Sequence, residues 1–148
     1  EVFYEPEIRA QNVENRCVEL SIDGLVIRSK RTLDEQFFNQ VNSLKWVGRA
    51  GAGVDNIDDK TASEKGIKLI HAAGANADSV AEHVMGMLLS FRHKLYKAHN
   101  SVISGGWERE AHRGIELKGK TIGIIGFGHT GSALARKLAS FDVNLFLS

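Results

Sequence analysis

Thr121-Ile122-Gly123-Ile124-Ile125-Gly126-Phe127-Gly128-His129-Thr130-Gly131 is the stretch on which the fold turns. Its first five residues are β-branched or small and predict a strand. Gly126, Gly128 and Gly131 then form G-x-G-x-x-G at the turn. Ser132 to Ser140 follows with Ala135, Leu138 and Ala139 on one face, predicting a helix, and Val143 to Leu147 predicts the returning strand. Each glycine answers a physical need. Gly126 permits the tight turn, Gly128 lets a pyrophosphate approach the backbone, and Gly131 lets the helix pack closely on the strand. Unpaired N–H groups at the helix start favour an anion. The pattern therefore predicts a dinucleotide site, the bland alternative being a glycine-tight turn without a ligand.

Working outward, the same rhythm recurs upstream. Val2-Phe3-Tyr4, Leu25-Val26-Ile27, Leu44 to Val47 and Ile67 to Ile70 predict strands. Between them, Val13, Cys17 and Leu20 fall at helical spacing. Thr32 with Glu35 fits a capping box ahead of Leu33, Phe37 and Val41. Asp58 can cap a short helix that closes at Gly66. Such alternation predicts a parallel sheet with helices on both faces. A second capping box, Ser79 with Glu82, precedes Val80, Val84, Met87, Leu88, Phe91, Leu95 and Val102. That stripe predicts one helix from Ser79 to Asn100, roughly 33 Å long, its apolar face in the core. Gly105-Gly106 would end it, before a connector from Glu108 to Gly114.

Composition narrows the function. The 148 residues carry 19 Lys+Arg against 18 Asp+Glu, a net charge of +1, which gives no electrostatic reason for a nucleic-acid or anionic-membrane partner. No apolar run approaches the ~18 residues of a membrane span. One cysteine, Cys17, cannot form an intrachain disulfide; as a small apolar residue it belongs in the core, and a reducing cytoplasm is the expected setting. His71, His83, His93, His99, His112 and His129 show no metal-ligand spacing. The chain starts at Glu1 and stops in the apolar run Leu145-Phe146-Leu147, so a portion of a longer protein is expected.

Two further segments invite ligands. Gly48-Arg49-Ala50-Gly51-Ala52-Gly53-Val54-Asp55 follows a strand, where parallel sheets bind ligands. Arg28-Ser29-Lys30, at the end of another strand, offers two cations and a hydroxyl to an anion. For each, a plain turn or a solvated strand end stands open beside the site.

In these segments the chain resembles the D-isomer-specific 2-hydroxyacid dehydrogenases. The matching stretches are Gly24 to Ser29, Gly48 to Asp58, Gly74-Ala75-Asn76 with Ser79 to Glu82, and Leu117 to Gly128, in order and in register. The resemblance implies an α/β chain in which residues 1–75 belong to a flavodoxin-like substrate domain, lacking its first strand. Residues 76–148 would begin a Rossmann-like domain for NAD, the active site lying between the two domains. Arg28, Ser29 and Lys30 would lie at the substrate. Ala50, Gly51 and Ala52 would offer backbone N–H groups to its carboxylate, with Ala52 also near the nicotinamide. Gly126, Gly128, His129, Thr130 and Gly131 would line the pyrophosphate. His129 stands where the family more often has arginine, removing one charged phosphate contact, and Ala73 replaces a frequent proline.

The resemblance also implies the reaction, oxidation of a D-2-hydroxy acid to the 2-keto acid. Arg-Ser-Lys favours a phosphorylated substrate, 3-phosphoglycerate going to 3-phosphohydroxypyruvate for serine synthesis. A glyoxylate or hydroxypyruvate reductase, or an NAD(H)-sensing corepressor, are the alternatives. A homodimer or homotetramer is expected, the long helix contributing to the contact. The family's carbonyl-polarising arginine, proton-moving histidine and its carboxylate lie beyond the matched stretches, so no catalytic residue is assigned within 1–148. Residues 1–148 expressed alone are therefore predicted to give no turnover with NAD and a D-2-hydroxy acid, because proton transfer and carbonyl polarisation each need a positioned group. NADH absorbance checks this, and turnover above background would place catalytic groups inside the segment.

Overall fold

Short apolar segments and helix caps alternate along the first half of the chain, and from Val13 onward they fold as helices and strands in turn. The computed structural model describes residues 1–148. Helix α1 (Val13–Glu19) precedes strand β1 (Gly24–Ile27), and α2 (Glu35–Gln40) leads to β2 (Trp46–Arg49). Helix α3 (Asp59–Glu64) then leads to β3 (Lys68–His71). The strands pair in parallel in chain order, with Leu25, Val47 and Leu69 in one row and Ile27, Arg49 and His71 in the next.

Local chemistry explains the helix starts. The Asp34 side chain accepts from the Phe37 N–H (2.9 Å), so Asp34 caps α2 in place of Thr32. Asp58 caps α3, accepting from the Thr61 N–H (3.1 Å) and hydroxyl (2.7 Å). These bonds, the backbone one foremost, hold the Asp58 carboxyl below its ordinary range. A depressed folded-state value means that the cap's contribution is present above the unfolded pKa and is lost as pH falls through the folded one.

The core of this unit gathers Phe37, Phe38, Leu33, Val41 and Val47, all fully buried, with Val13, Cys17, Leu44, Ile57, Ala62 and Ile67 around them. Phe37 and Phe38 meet edge to face, centroids 5.5 Å apart. Leu25, Ile27 and Leu69 lean on this cluster, whereas Val26 and Ile70 point to the other face and are 64% and 49% exposed. Helices thus cover one face of this sheet, not both. Successive right-handed crossovers that advance in one direction place their helices on the same side. Val2-Phe3-Tyr4 forms no strand. It has no partner strand, and Val2 and Tyr4 stand in solvent.

Residues 76–148 form a second compact unit, the first being 1–75. Helices α4 (Ala77–Arg92) and α5 (Leu95–Ile103) precede β4 (Thr121–Ile124), α6 (His129–Leu138) and β5 (Asn144–Leu147). Strands β4 and β5 pair in parallel, Ile122 beside Leu145 and Ile124 beside Leu147. The predicted strand–turn–helix–strand is present, α6 starting three residues earlier than its apolar pattern. Leu138, Ile124, Ala135 and Met85 form its core.

The single long helix expected from Ser79 to Asn100 is two helices. Lys94 takes the left-handed conformation (φ 52°) between them. The segment after α5 closes back on this break: Lys94 Nζ donates to the Ala111 carbonyl (3.0 Å) and the Ile115 N–H to the Arg92 carbonyl (3.0 Å). The Ser79 capping box is also absent, Asn76 being the residue before the helix.

The stripe is largely not core either. Met87, Phe91, Leu95 and Val102 are 54–79% exposed. Ala77 and Ala81 instead meet Ala133 of α6, because alanines allow two helices to approach closely. Lys137 of α6 bridges Glu82 and Asp78 of α4, each at 3.2 Å, and these carboxylates raise the Lys137 pKa. No helix is long and apolar enough to cross a membrane.

Cys17 is 4% exposed, and burial pushes its thiol up to about 11. It is predicted to resist alkylation in the folded protein at pH 8 and to react at the rate of a free thiol in denaturant. Equal rates in both states would show that Cys17 is not in the core.

Candidate functional site

Two backbone turns follow parallel strands, one in each unit. In residues 1–75, the chain leaves β2 through Ala50, Gly51, Ala52 and Gly53. The Ala50 N–H donates to the Ile27 carbonyl and the Gly51 N–H to the Arg49 carbonyl, both at 2.8 Å. Of the three N–H groups expected to face a ligand, those of Ala50 and Gly51 are therefore already engaged. The loop's carbonyls are engaged too. Gly51 O accepts from the Ala72 N–H (3.0 Å), and Ala52 O lies 2.8 Å from His71 Nδ1.

A trans peptide carries its carbonyl and its N–H on opposite edges. With Gly51 O and Ala52 O turned toward the end of β3, the N–H groups of Ala52 and Gly53 point away from it. Neither has a partner within the chain. Two adjacent free N–H groups can donate to an anion, and the Asp55 carboxylate lies beside them, 2.7 Å from where a Cβ on Gly53 would stand.

Arg28, Ser29 and Lys30 leave β1 beside this loop, because Ile27 is in register with Arg49. All three are exposed. Their turn is tied down by Asn56, whose Nδ2 donates to the Arg31 carbonyl (2.6 Å) and the Arg28 carbonyl (3.2 Å). Arg31 itself is turned inward, paired with Glu14 and lying over the Phe37 ring at 6.0 Å. It therefore does not join the outward cations.

Arg49 is a cation that sequence reasoning passed over. Its guanidinium lies across Gly51, where a Cβ would overlap it, and its Nε is buried without a partner. The available signal was its place inside the glycine loop. Arg49 and His71 border an open concavity of about 280 Å³ floored by Val26, Gly48 and Ile70.

In residues 76–148 the chain leaves β4 through Gly126, which takes φ 89°, a conformation that favours glycine. A Cβ on Gly128 would meet no protein atom within 4 Å, so open space lies before it. A Cβ on Gly131 would overlap the Gly126 carbonyl oxygen. The first glycine serves the turn, the second keeps the backbone bare, and the third permits helix-to-strand contact.

The Gly128 carbonyl is turned into α6, accepting from the Ser132 N–H (2.9 Å) and hydroxyl (2.8 Å). The His129 N–H, on the opposite edge of that peptide, consequently faces outward. No acid lies in the first turn of α6, and His129 and Thr130 are exposed. An anion at this helix start would meet free N–H groups and no competing carboxylate. These residues fit a dinucleotide's pyrophosphate.

The architecture defines an α/β protein with one glycine loop at the carboxyl end of each parallel sheet. The profile of the D-isomer specific 2-hydroxyacid dehydrogenase catalytic domain matches residues 2–141, and the chain belongs to that family. It is 42% identical over 140 residues to the D-3-phosphoglycerate dehydrogenase of Bacillus subtilis, covering 94% of this chain and 27% of that protein. It is 41% identical over 124 residues to the hydroxypyruvate reductase of Thermotoga maritima, covering 84% of this chain and 40% of that one. Among solved structures it resembles the NAD-dependent formate dehydrogenase of Staphylococcus aureus in complex with NAD. The TM-score is 0.78 at 29% identity, over 93% of this chain and 42% of that one. The chain thus spans less than half the length of these relatives.

Gly131→Ala is predicted to cost about 1–3 kcal/mol, since the added carbon meets a backbone carbonyl that cannot rotate away. Gly128→Ala should cost less than about 1 kcal/mol, the difference between glycine and alanine before a helix. Thermal melts of the two variants check the contrast, and equal losses would contradict the close contact at Gly131.

Proposed function

We propose that the chain is part of an NAD-dependent oxidoreductase that acts on the CH–OH group of a D-2-hydroxy acid. Oxidation of 3-phosphoglycerate to 3-phosphohydroxypyruvate, for serine synthesis, fits it best. The carrying observation is the pair of outward N–H groups on Ala52 and Gly53, in a loop that leaves β2 next to the strand whose end carries Arg28-Ser29-Lys30. A substrate with a carboxylate at one end and a phosphate at the other matches amides for the first and cations for the second. The similarity to D-3-phosphoglycerate dehydrogenases supports the same substrate.

In this account residues 1–75 serve the substrate. Ala52 and Gly53 take its carboxylate; of the expected Ala50, Gly51 and Ala52, the first two have their N–H groups engaged within the chain. Arg28, Ser29 and Lys30 meet its phosphate. Residues 76–148 begin the NAD domain. There the turn from Gly126 to Gly131 takes the pyrophosphate: Gly126 shapes the turn, its own N–H bonded to the Ser148 carbonyl, Gly128 leaves the approach open, and the N–H groups of His129, Thr130 and Gly131 at the start of α6 meet the phosphates. NAD, when bound, accepts hydride from the substrate's 2-carbon. The residues of this chain bind and orient, and proton transfer belongs to groups outside it.

We propose a cytoplasmic homodimer or homotetramer. The exposed apolar side chains Met87, Phe91, Leu95, Tyr96, Val102 and Ile103 along α4 and α5 support self-association.

Hydroxypyruvate reduction is the second reading, favoured by the Thermotoga relative. The two are separated by assaying the full-length protein with 3-phosphoglycerate and NAD, and with hydroxypyruvate and NADH. Arg28→Ala should weaken 3-phosphoglycerate binding about 10- to 100-fold, matching roughly 1.5–3 kcal/mol for a charge-assisted contact, and leave NAD binding within twofold. Gly128→Val should do the converse. High hydroxypyruvate turnover with negligible 3-phosphoglycerate turnover would transfer the assignment to the reductase, and parallel losses of both ligands in Arg28→Ala would refute the substrate role of Arg28.

A further inference from the structure

The carboxylate loop has two carbonyls to fix, and they are fixed by different means. Gly51 O is held by a backbone N–H, that of Ala72. Ala52 O is held by a side chain, the imidazole of His71, with Nδ1 at 2.8 Å. A carbonyl oxygen has no proton to give, so the proton of this bond sits on Nδ1. His71 stands at the last position of β3, in register with Arg49. The strand thus delivers the ring to the loop without a long flexible segment.

The peptide joining Ala52 to Gly53 is the unit that His71 grips. Turning its carbonyl toward β3 turns the Gly53 N–H the other way. Gly53 has no side chain to pack and its N–H has no hydrogen-bond partner in the chain, its one close side-chain neighbour being the Asp55 carboxylate. Without the imidazole this peptide could flip, presenting a carbonyl oxygen where a carboxylate should meet an N–H. That exchange replaces an attraction with a repulsion.

We infer that His71 is a positioning residue for substrate: its Nδ1–H, bonded to the Ala52 carbonyl, sets the Gly53 N–H toward the carboxylate of the 2-hydroxy acid. The role rests on the carboxylate-binding function proposed for this loop. His71 touches neither substrate nor cofactor in this account and takes no part in proton transfer.

The test uses the full-length enzyme with 3-phosphoglycerate and NAD, or hydroxypyruvate and NADH where that is the faster pair. His71→Leu removes the donor. Losing one ordinary hydrogen bond should raise KM for the acid about fivefold, with kcat and the KM for the nucleotide within twofold. His71→Asn places an amide N–H where Nδ1 stood and should bring KM back to within twofold of the unmodified enzyme. A merely structural role would raise both KM values together or lower the melting temperature without rescue by asparagine.

A wild-type KM in His71→Leu, or equal impairment in the leucine and asparagine variants, overturns the inference and leaves the proposed reaction standing. An unmodified enzyme that turns over neither acid overturns the reaction and the inference with it. Should His71→Leu fail to fold, the nitrogen-15 spectrum of the His71 ring in the unmodified protein decides. A proton on Nδ1 is expected, and the tautomer protonated only at Nε2 would refute the bond.

Discussion

A peptide plane carries its carbonyl on one edge and its N–H on the other, and both turns of this chain exploit that geometry. After β2, the carbonyls of Gly51 and Ala52 are drawn toward the end of β3. After β4, the carbonyl of Gly128 is drawn into α6 by Ser132. In each case what remains for solvent is a row of N–H groups. The loops need few charged side chains of their own because their backbone is oriented by bonds made behind them. Glycine is required for the same reason. A side chain at Gly128 would stand in front of the amides, and one at Gly131 would push α6 off the strand that sets its direction.

This constraint explains why the packing around the turns is tight and the rest is spare. Leu138 and Ala133 are fully buried on the inner face of α6, and the alanine contact with α4 brings the two helices close. In the first unit, Phe37, Phe38 and Val47 lie behind the strands whose ends carry the loop. Displacing either layer would tilt a strand end and with it the peptide planes. Surface pairs such as Lys137 with Glu82 and Asp78 add little, being largely solvated.

Much of this was legible in the residues. The β4–α6–β5 unit could be read because Gly126, Gly128 and Gly131 sit between a β-branched run and an apolar helical face. The parallel order of β1 to β3 followed from their alternation with caps. Other features were not legible. The long stripe from Val80 to Val102 has the period of a buried helix, yet Phe91 and Leu95 are exposed and the chain turns at Lys94. What breaks the helix is a tertiary event, the return of Ala111 and Ile115 to the end of α4. Which amides of the Ala50–Gly53 loop are free also lay beyond sequence, because it depends on bonds to Ile27 and to the end of β3. Arg49 was overlooked because a strand residue beside a glycine reads as scaffold.

The proposed ligand contacts are backbone N–H groups of the two turns. Amide chemical shifts of the full-length protein, followed through titration with NAD and then with 3-phosphoglycerate, test this most directly. NAD is expected to move the His129, Thr130 and Gly131 amides, and the acid those of Ala52 and Gly53, while Ala50 and Gly51 stay nearly fixed. Saturable binding of both ligands that leaves these five amides unmoved would contradict it.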